Sequence, residues 1–292
     1  MTATATRKPS KARQAKVEAL QKTLAEEIEA LRDPERWINW LQFAATFHSY
    51  SWRNQLLMAA QYPGASLVAG YRGWQARGRQ VRRGERGIMI WGGRPYRRVT
   101  EETDDDTTAT GMHFFPVTVF DISQTDALEG TETPEQPLEG SLTDQDDHGI
   151  IEAVSGLLDS RGIPVVFENL PGTIDGRTQA DRRTGKITRV SIDPRNPVSA
   201  QAATLLHELA HIELGHMGRT QDYHGAERGL FEVEAESVAY IVAHLMGLDT
   251  VTISAGYVAG WASVADTDAL AATAEHVATT AHTIAEVLNL SA

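Results

Sequence analysis

The chain has 292 residues, enough for two domains with cores of their own, and 41% of them are apolar. It contains no cysteine, which excludes disulfide scaffolds, thiolate zinc fingers and cysteine nucleophiles. A net charge of −12 argues against a uniformly basic nucleic-acid binder, and no apolar run has signal-peptide or membrane-span length, so a soluble, cytoplasmic protein with no membrane partner is expected.

Residues 1–33 read as a basic tail followed by an amphipathic helix, because Val17, Leu20, Leu24, Ile28 and Leu31 recur at three- and four-residue spacing. The run DPERWINWLQFAATF restarts a helix, with Asp33 as N-cap and Pro34 in the first turn. On it, Trp37 and Trp40 read as core beside Ile38, Leu41 and Phe43. A third helix, about 51–61, stops at YPGAS. Strand-like runs SLVAGY, GIMIW and FFPVTVFDI follow, separated by Gly/Arg turns, and the acidic TEETDDDTTATG reads as a solvated hairpin loop.

The charge is segregated. Residues 35–99 hold eleven arginines against two glutamates, a local balance of +9, together with five of the six tryptophans. Single-stranded nucleic acid needs this pairing of cations for phosphates with flat rings for unpaired bases. The arginines crowd into the turn-rich stretch 72–98, which favours a strand-and-loop platform over a helix for the major groove. The candidate DNA contacts are therefore Arg53, Tyr71, Arg72, Trp74, Arg77, Arg79, Arg82, Arg83, Arg86 and Trp91. The glycines among them read as turns, since no Gly-Lys-Ser/Thr phosphate loop follows.

Residues 34–125 thus form one α+β domain, and the acidic, apolar-poor stretch 126–147 reads as a linker. Its acids, with those at 101–106, are read either as a solvated tether or as a polyanion lying across the arginine surface. A second domain, 148–292, opens with the helix GIIEAVSGLLDSRG, the strand PVVFE and the hairpin TQADRRTGKITRVSID. Asn196 and Pro197 are expected to cap the next helix, and helices dominate from Glu232 onward.

That capped helix carries TLLHELAHIELGH. His207 and His211, four apart, project from one face, and Glu208 points beside them, where the water of a zinc site would lie. A third ligand is required. Glycine three and histidine six residues beyond His211 would supply one pattern, but Leu214 and Met217 stand there. The other source is FEVEAESVAYIV, where Glu232 and Glu236 share a helical face and Glu234 points away. Glu232 is the expected ligand, Glu236 the acid that bonds a ligand histidine from behind, and Ala235 the small residue that lets the helices approach. The remaining histidines, including His276, show no ligand spacing.

HELAHIELGH followed by EVEAESVAY resembles gluzincin peptidases, most closely the ImmA/IrrE-like group. The resemblance implies a zincin fold and one zinc ion per chain, with zinc polarising the scissile carbonyl and Glu208 as general base. It also places the strand near 186–193 beside the active helix, as an edge for an extended peptide substrate. Tyr223, His224 and Tyr257 are the candidate oxyanion donors.

The basic segment FHSYSWRNQLLMAAQYPGASLVAGYRGWQARGRQVRRGERGI, ending in FFPVTVFDISQT, is similar to the N-terminal single-stranded-DNA-binding domain of ArdC-type antirestriction proteins. That resemblance implies protection of incoming plasmid or phage DNA. Two rival functions stand beside it: a regulatory protease that cleaves a repressor, and a DNA-binding protector whose metal site is catalytically idle. The intact Glu208 argues against idleness, since a structural site needs ligands but no base.

Overall fold

A computed structural model of the chain describes residues 11–99, 108–128, 147–181, 183–219, 226–248, 251 and 253–290. Its contacts divide into two compact units that are discontinuous in sequence: Met1–Glu27 with Leu56–Gln136, and Ile28–Gln55 with Pro137–Ala292. The acidic stretches 101–106 and 129–146 lie outside the described residues, whereas Asp126, the first acid of the expected linker, is described and pairs with Arg82 at 3.3 Å. Among the described residues no helix is long and apolar enough to cross a membrane.

Three helices come first: α1 (Lys11–Ala30), α2 (Pro34–Thr46) and α3 (Trp52–Gln61). The first unit then builds β1 (Val68–Gly70), α4 (Tyr71–Ala76), β2 (Arg79–Val81), β3 (Ile88–Val99), β4 (Thr108–Asp121) and β5 (Thr125–Ala127). β3 and β4 form a long antiparallel hairpin from Ile88↔Val119 to Val99↔Thr108, and β1 pairs with the other side of β4. β5 pairs with β2, which carries this unit past residue 125.

The expected strand-and-loop platform at 72–98 differs in one respect. α4 interrupts it, and the helix turns Trp74 into a small core with Ala69, Val81 and Ile122. Asp121 ties the unit's turns together: its carboxylate accepts from the backbone N–H of Ser66 (2.8 Å), Leu67 (3.1 Å) and Ser123 (2.9 Å). Burial works against ionisation there, but the Ser123 hydroxyl, which donates to the carboxylate at 2.6 Å, and those backbone N–H groups outweigh it and hold the carboxyl below its usual range.

In the second unit α2 begins as its sequence predicts, with the Asp33 side chain accepting from Glu35 N. Trp37 and Trp40 are buried, and the Trp37 indole meets Trp40 and Trp261 edge-on at 5.1 and 5.5 Å. Its Nε1–H donates to Ser237 Oγ at 2.9 Å, so the indole buries its one polar atom with a partner. The rest of the unit comprises α5 (Ile150–Ser160), β6 (Val165–Phe167), β7 (Gly176–Ala180), β8 (Ile187–Ile192), α6 (Val198–Glu213), α7 (Ala226–Leu245), α8 (Ala255–Ala262) and α9 (Thr267–Val287).

Two expectations are corrected here. The strand at 187–192 is the middle of its sheet, antiparallel to β7 on one side and parallel to β6 on the other at Val190–Ile192, so a peptide cannot pair along its full length. The strand at the sheet margin beside α6 is β7. Asn196 does not cap α6: its amide donates to Asp175 Oδ1, and Pro197, which offers no side-chain acceptor, occupies the cap position.

Candidate metal centre

α6 places His207 and His211 one turn apart on the face turned to α7, and α7 returns Glu232 to meet them. His207 Nε2 lies 3.0 Å from His211 Nε2 and 3.5 Å from Glu232 Oε2, and His211 Nε2 lies 3.8 Å from that oxygen. Fully buried Ala235 sits between the flanking acids of α7.

These residues fit a metal ion. An ion held tetrahedrally at about 2.1 Å keeps its ligand atoms roughly 3.4 Å apart, and the three measured separations bracket that value. Two imidazole nitrogens and one carboxylate oxygen are also the donor set of a catalytic zinc site with one position left open. The field is favourable too. Burial alone would push the His207 imidazole down, but the carboxylates of Glu232, Glu208 and Glu236 outweigh it and raise its affinity for a positive charge.

Glu208 lies beside the cluster, 8% exposed, and its Oε2 accepts from Thr178 Oγ1 at 2.6 Å. Thr178 comes from β7, whose approach to α6 depends on Gly176. A Cβ at that glycine would lie 2.4 Å from Thr204 Cγ2 on α6. The sequence signals HExxH but not this hydroxyl, which depends on a strand 30 residues upstream.

Glu236 takes a different partner from the one expected. Its Oε2 accepts from Ser254 N at 2.7 Å, at the start of α8, and burial raises its carboxyl. A histidine takes the place behind the ligand. His211 Nδ1 is 2.8 Å from His216 Nδ1, His216 Nε2 is 2.9 Å from Glu234 Oε2, and Glu234 Oε1 is 2.9 Å from His276 Nδ1. Glu234 does point away from the ligand cluster, as its helical position predicts. Burial would raise its carboxyl, yet the two histidines outweigh burial and keep it low. Burial pushes the His216 imidazole down.

The oxyanion candidates Tyr223 and His224 lie outside the described residues. Tyr257, 39% exposed, sits in the first turn of α8, with its backbone N–H bonded to Ser254 O.

The proposed DNA contacts divide into three groups. Trp74 is 0% exposed and donates to Phe120 O at 2.8 Å, so its ring has no face to offer a base. Arg79 faces inward from β2, bonded to Thr125 through Oγ1 at 2.7 Å and through the carbonyl at 3.2 Å. Arg53 belongs to the second unit, where it lies over the Trp52 ring at 4.7 Å and pairs with Glu275 at 3.6 Å. Trp74 and Arg79 are corrected by their burial, and Arg53 stays exposed. Tyr71, Arg72, Arg77, Arg82, Arg83 and Arg86 are exposed and Trp91 is half-buried; Arg82 also pairs with Glu85 and Asp126.

A cationic surface that escaped the sequence lies elsewhere in the first unit. Arg13, Lys16, Arg94, His113, Phe115 and Pro116 line a cleft of about 500 Å³. Arg94 and His113 are register partners on the hairpin, the Phe115 ring stacks near His113 at 6.2 Å, and Arg13 lies 6.0 Å from its centroid. The Tyr96 ring lies against Gly111, where a Cβ would come within 2.7 Å of it.

Comparison with known proteins agrees with this architecture. Residues 14–134 match the model of the N-terminal domain of anti-restriction factor ArdC, and residues 158–291 match the IrrE N-terminal-like domain. The crystal structure of the antirestriction ArdC protein from the R388 plasmid, metal-free, aligns with a TM-score of 0.50 and 20% identity, over 81% of this chain and 84% of that one. The Mn(II)-bound crystal structure of that protein aligns at 0.48 and 21%, over 81% and 83%. The uncharacterized protein pXO2-81 of Bacillus anthracis is 24% identical over 84% of this chain and 46% of its own length, so the chain spans about half of that relative.

Proposed function

Because the chain joins an ArdC-type N-terminal domain to an IrrE N-terminal-like domain, we propose that it is a cytoplasmic antirestriction-type protein that binds single-stranded DNA, protects incoming plasmid or phage DNA, and carries a zinc-dependent peptidase. The observation that carries the peptidase half is the convergence of His207, His211 and Glu232 with the hydrogen-bonded base Glu208 beside them. His207, His211 and Glu232 would hold the ion, which when bound supplies a Lewis acid for the scissile carbonyl. Glu208 takes the proton of the attacking water, and Thr178 fixes which carboxylate oxygen faces it. The outer edge of β7 offers main-chain hydrogen bonds to an extended peptide next to this base. A structural metal site has no use for a base held by a second element, so Glu208 and Thr178 favour an active enzyme over an idle one.

The test pairs metal analysis with proteolysis. Purified wild-type chain should contain about one zinc and cleave some member of a denatured host-protein pool, while Glu208→Gln keeps the metal and cleaves nothing. Equal cleavage by both would end the peptidase assignment.

The DNA-binding half is supported by the hairpin cleft, where Arg94, His113 and Phe115 of β3 and β4 meet Arg13 and Lys16 of α1. Phosphates would sit between Arg13, Lys16 and Arg94, and Phe115 and Tyr96 would stack on unpaired bases. The exposed arginines 72, 77, 82, 83 and 86 extend the positive field of the same unit. Full-length chain should prefer single strands to duplex with a steep salt dependence. Duplex preference would refute the stacking arrangement.

A further inference from the structure

The metal-ligand histidine His211 opens a line of hydrogen bonds that the proposed mechanism does not use. It passes from α6 through His216, on the short 3₁₀ turn at His216–Arg219, to Glu234 on α7 and His276 on α9. His216 is 1% exposed and stacks on Phe231 at 4.4 Å, Glu234 is 5% exposed, and the His276 side chain reaches the surface with 44% of its area exposed.

The hydrogen positions along this line follow from one residue. An ionised carboxylate only accepts, so His216 Nε2 and His276 Nδ1, each 2.9 Å from Glu234, must both donate. A neutral His216 that carries its proton on Nε2 has a lone pair on Nδ1. At 2.8 Å that lone pair requires a proton on His211 Nδ1, which leaves His211 Nε2 bare and facing His207 and Glu232. The opposite direction would set a lone pair of His216 against the carboxylate.

From this we propose that His216, Glu234 and His276 are positioning residues: a hydrogen-bonded line that locks His211 in the tautomer and ring orientation a metal ion requires, and ends at the surface. The proposal rests on the assignment of His211 as a ligand. It differs from a purely structural polar network in what it predicts for Glu234→Gln. The amide presents N–H on one side, and that side must face an imidazole that formerly donated. If it faces His216, the proton of that ring moves to Nδ1 and the proton of His211 moves to Nε2, the ligating atom.

The experiment uses the full chain with ¹⁵N-labelled histidine, read by imidazole NMR without metal and by chelator competition with Zn²⁺ alone. Metal-free wild type should show His211 as the Nδ1–H tautomer. Glu234→Gln should shift it toward Nε2–H and weaken zinc binding by about 10- to 100-fold, the usual effect of losing a partner behind a ligand histidine. His276→Asn, which retains an N–H near the Nδ1 position, should stay close to wild type, and His276→Leu should fall between. Unchanged tautomer and zinc affinity in both Glu234→Gln and Glu234→Leu, which offers His216 no acceptor whichever way it packs, would overturn the proposal. Should those variants fail to fold, equal behaviour of His276→Leu and His276→Asn would overturn it instead. A wild type that binds no zinc, yet loses the fixed His211 tautomer in Glu234→Gln, would support the line and sink the metal assignment.

Discussion

Thr178 and Glu208, on a strand and a helix 30 residues apart, share a hydrogen bond of 2.6 Å. The hydroxyl occupies one carboxylate oxygen and leaves the other for a water molecule, so in the proposed peptidase the base would have a fixed direction before any substrate arrives. Thr178→Val keeps the shape and removes the bond. It should leave zinc content unchanged and lower the cleavage rate by roughly 5- to 10-fold, the worth of about 1 kcal/mol of orientation. Glu208→Gln should cost at least about 100-fold. Rate measurements on one cleaved protein check both, and a wild-type rate in Thr178→Val would remove the hydroxyl from the site.

The two acids that share a face of α7 make opposite predictions. Glu232→Ala should lose the metal, as should His207→Ala and His211→Ala, each read by elemental analysis of the purified protein. Glu236→Ala should keep it and instead loosen the start of α8, because its partner is Ser254 N. Retained metal in Glu232→Ala with loss in Glu236→Ala would show the acids to be reversed.

Within the first unit, Arg94→Ala and Phe115→Ala should act differently on single-stranded DNA. The arginine change should reduce the salt slope by about one ion, and the phenylalanine change should weaken binding by about 1–3 kcal/mol with the slope intact. Replacing Arg82 and Arg83 together should weaken binding to all sequences alike. Trp74→Ala should destabilise the unit by about 3–5 kcal/mol, since it empties a core position. Titrations across salt, compared with thermal unfolding, separate a contact from a core residue.

Asp121 predicts an acid limb. Its carboxyl is held below the unfolded range, so the folded state binds its proton less readily. The stabilisation is fully present above the unfolded pKa and is lost as pH falls through the folded value. Asp121→Asn should lower the melting temperature at neutral pH and flatten its fall toward acid. A parallel fall in both proteins would assign the acid limb to other groups.

The convergence of His207, His211 and Glu232 was legible because each motif lies within one helix, where spacing converts directly into direction. His216 was not, although it lies only five residues past His211. Gly215 takes a left-handed conformation (φ 71°) that ends α6, and helical spacing cannot be carried across it. His276 enters from α9, 42 residues beyond Glu234, and only tertiary packing brings it there. Trp74 misled for a related reason. Set in a stretch rich in glycine and arginine it has the composition of an exposed ring, but the short α4 turns it inward while Tyr71 and Arg72 stay out. Arg79 follows the alternation of β2, whose inner positions are 79 and 81.

The hydrogen bond from Trp37 to Ser237 joins residues 200 apart, and this sets an order on the making of the protein. α2 leaves the ribosome early, with the indoles of Trp37 and Trp40 needing α7 and α8 as cover. At about 5–20 residues per second those helices follow roughly 10–40 seconds later. For that interval the nascent chain displays a bare apolar face, a natural target for a holding chaperone and a risk for neighbouring chains on the same message. A messenger broken after the first unit would leave that face exposed for good, so the fragment would be cleared or aggregate.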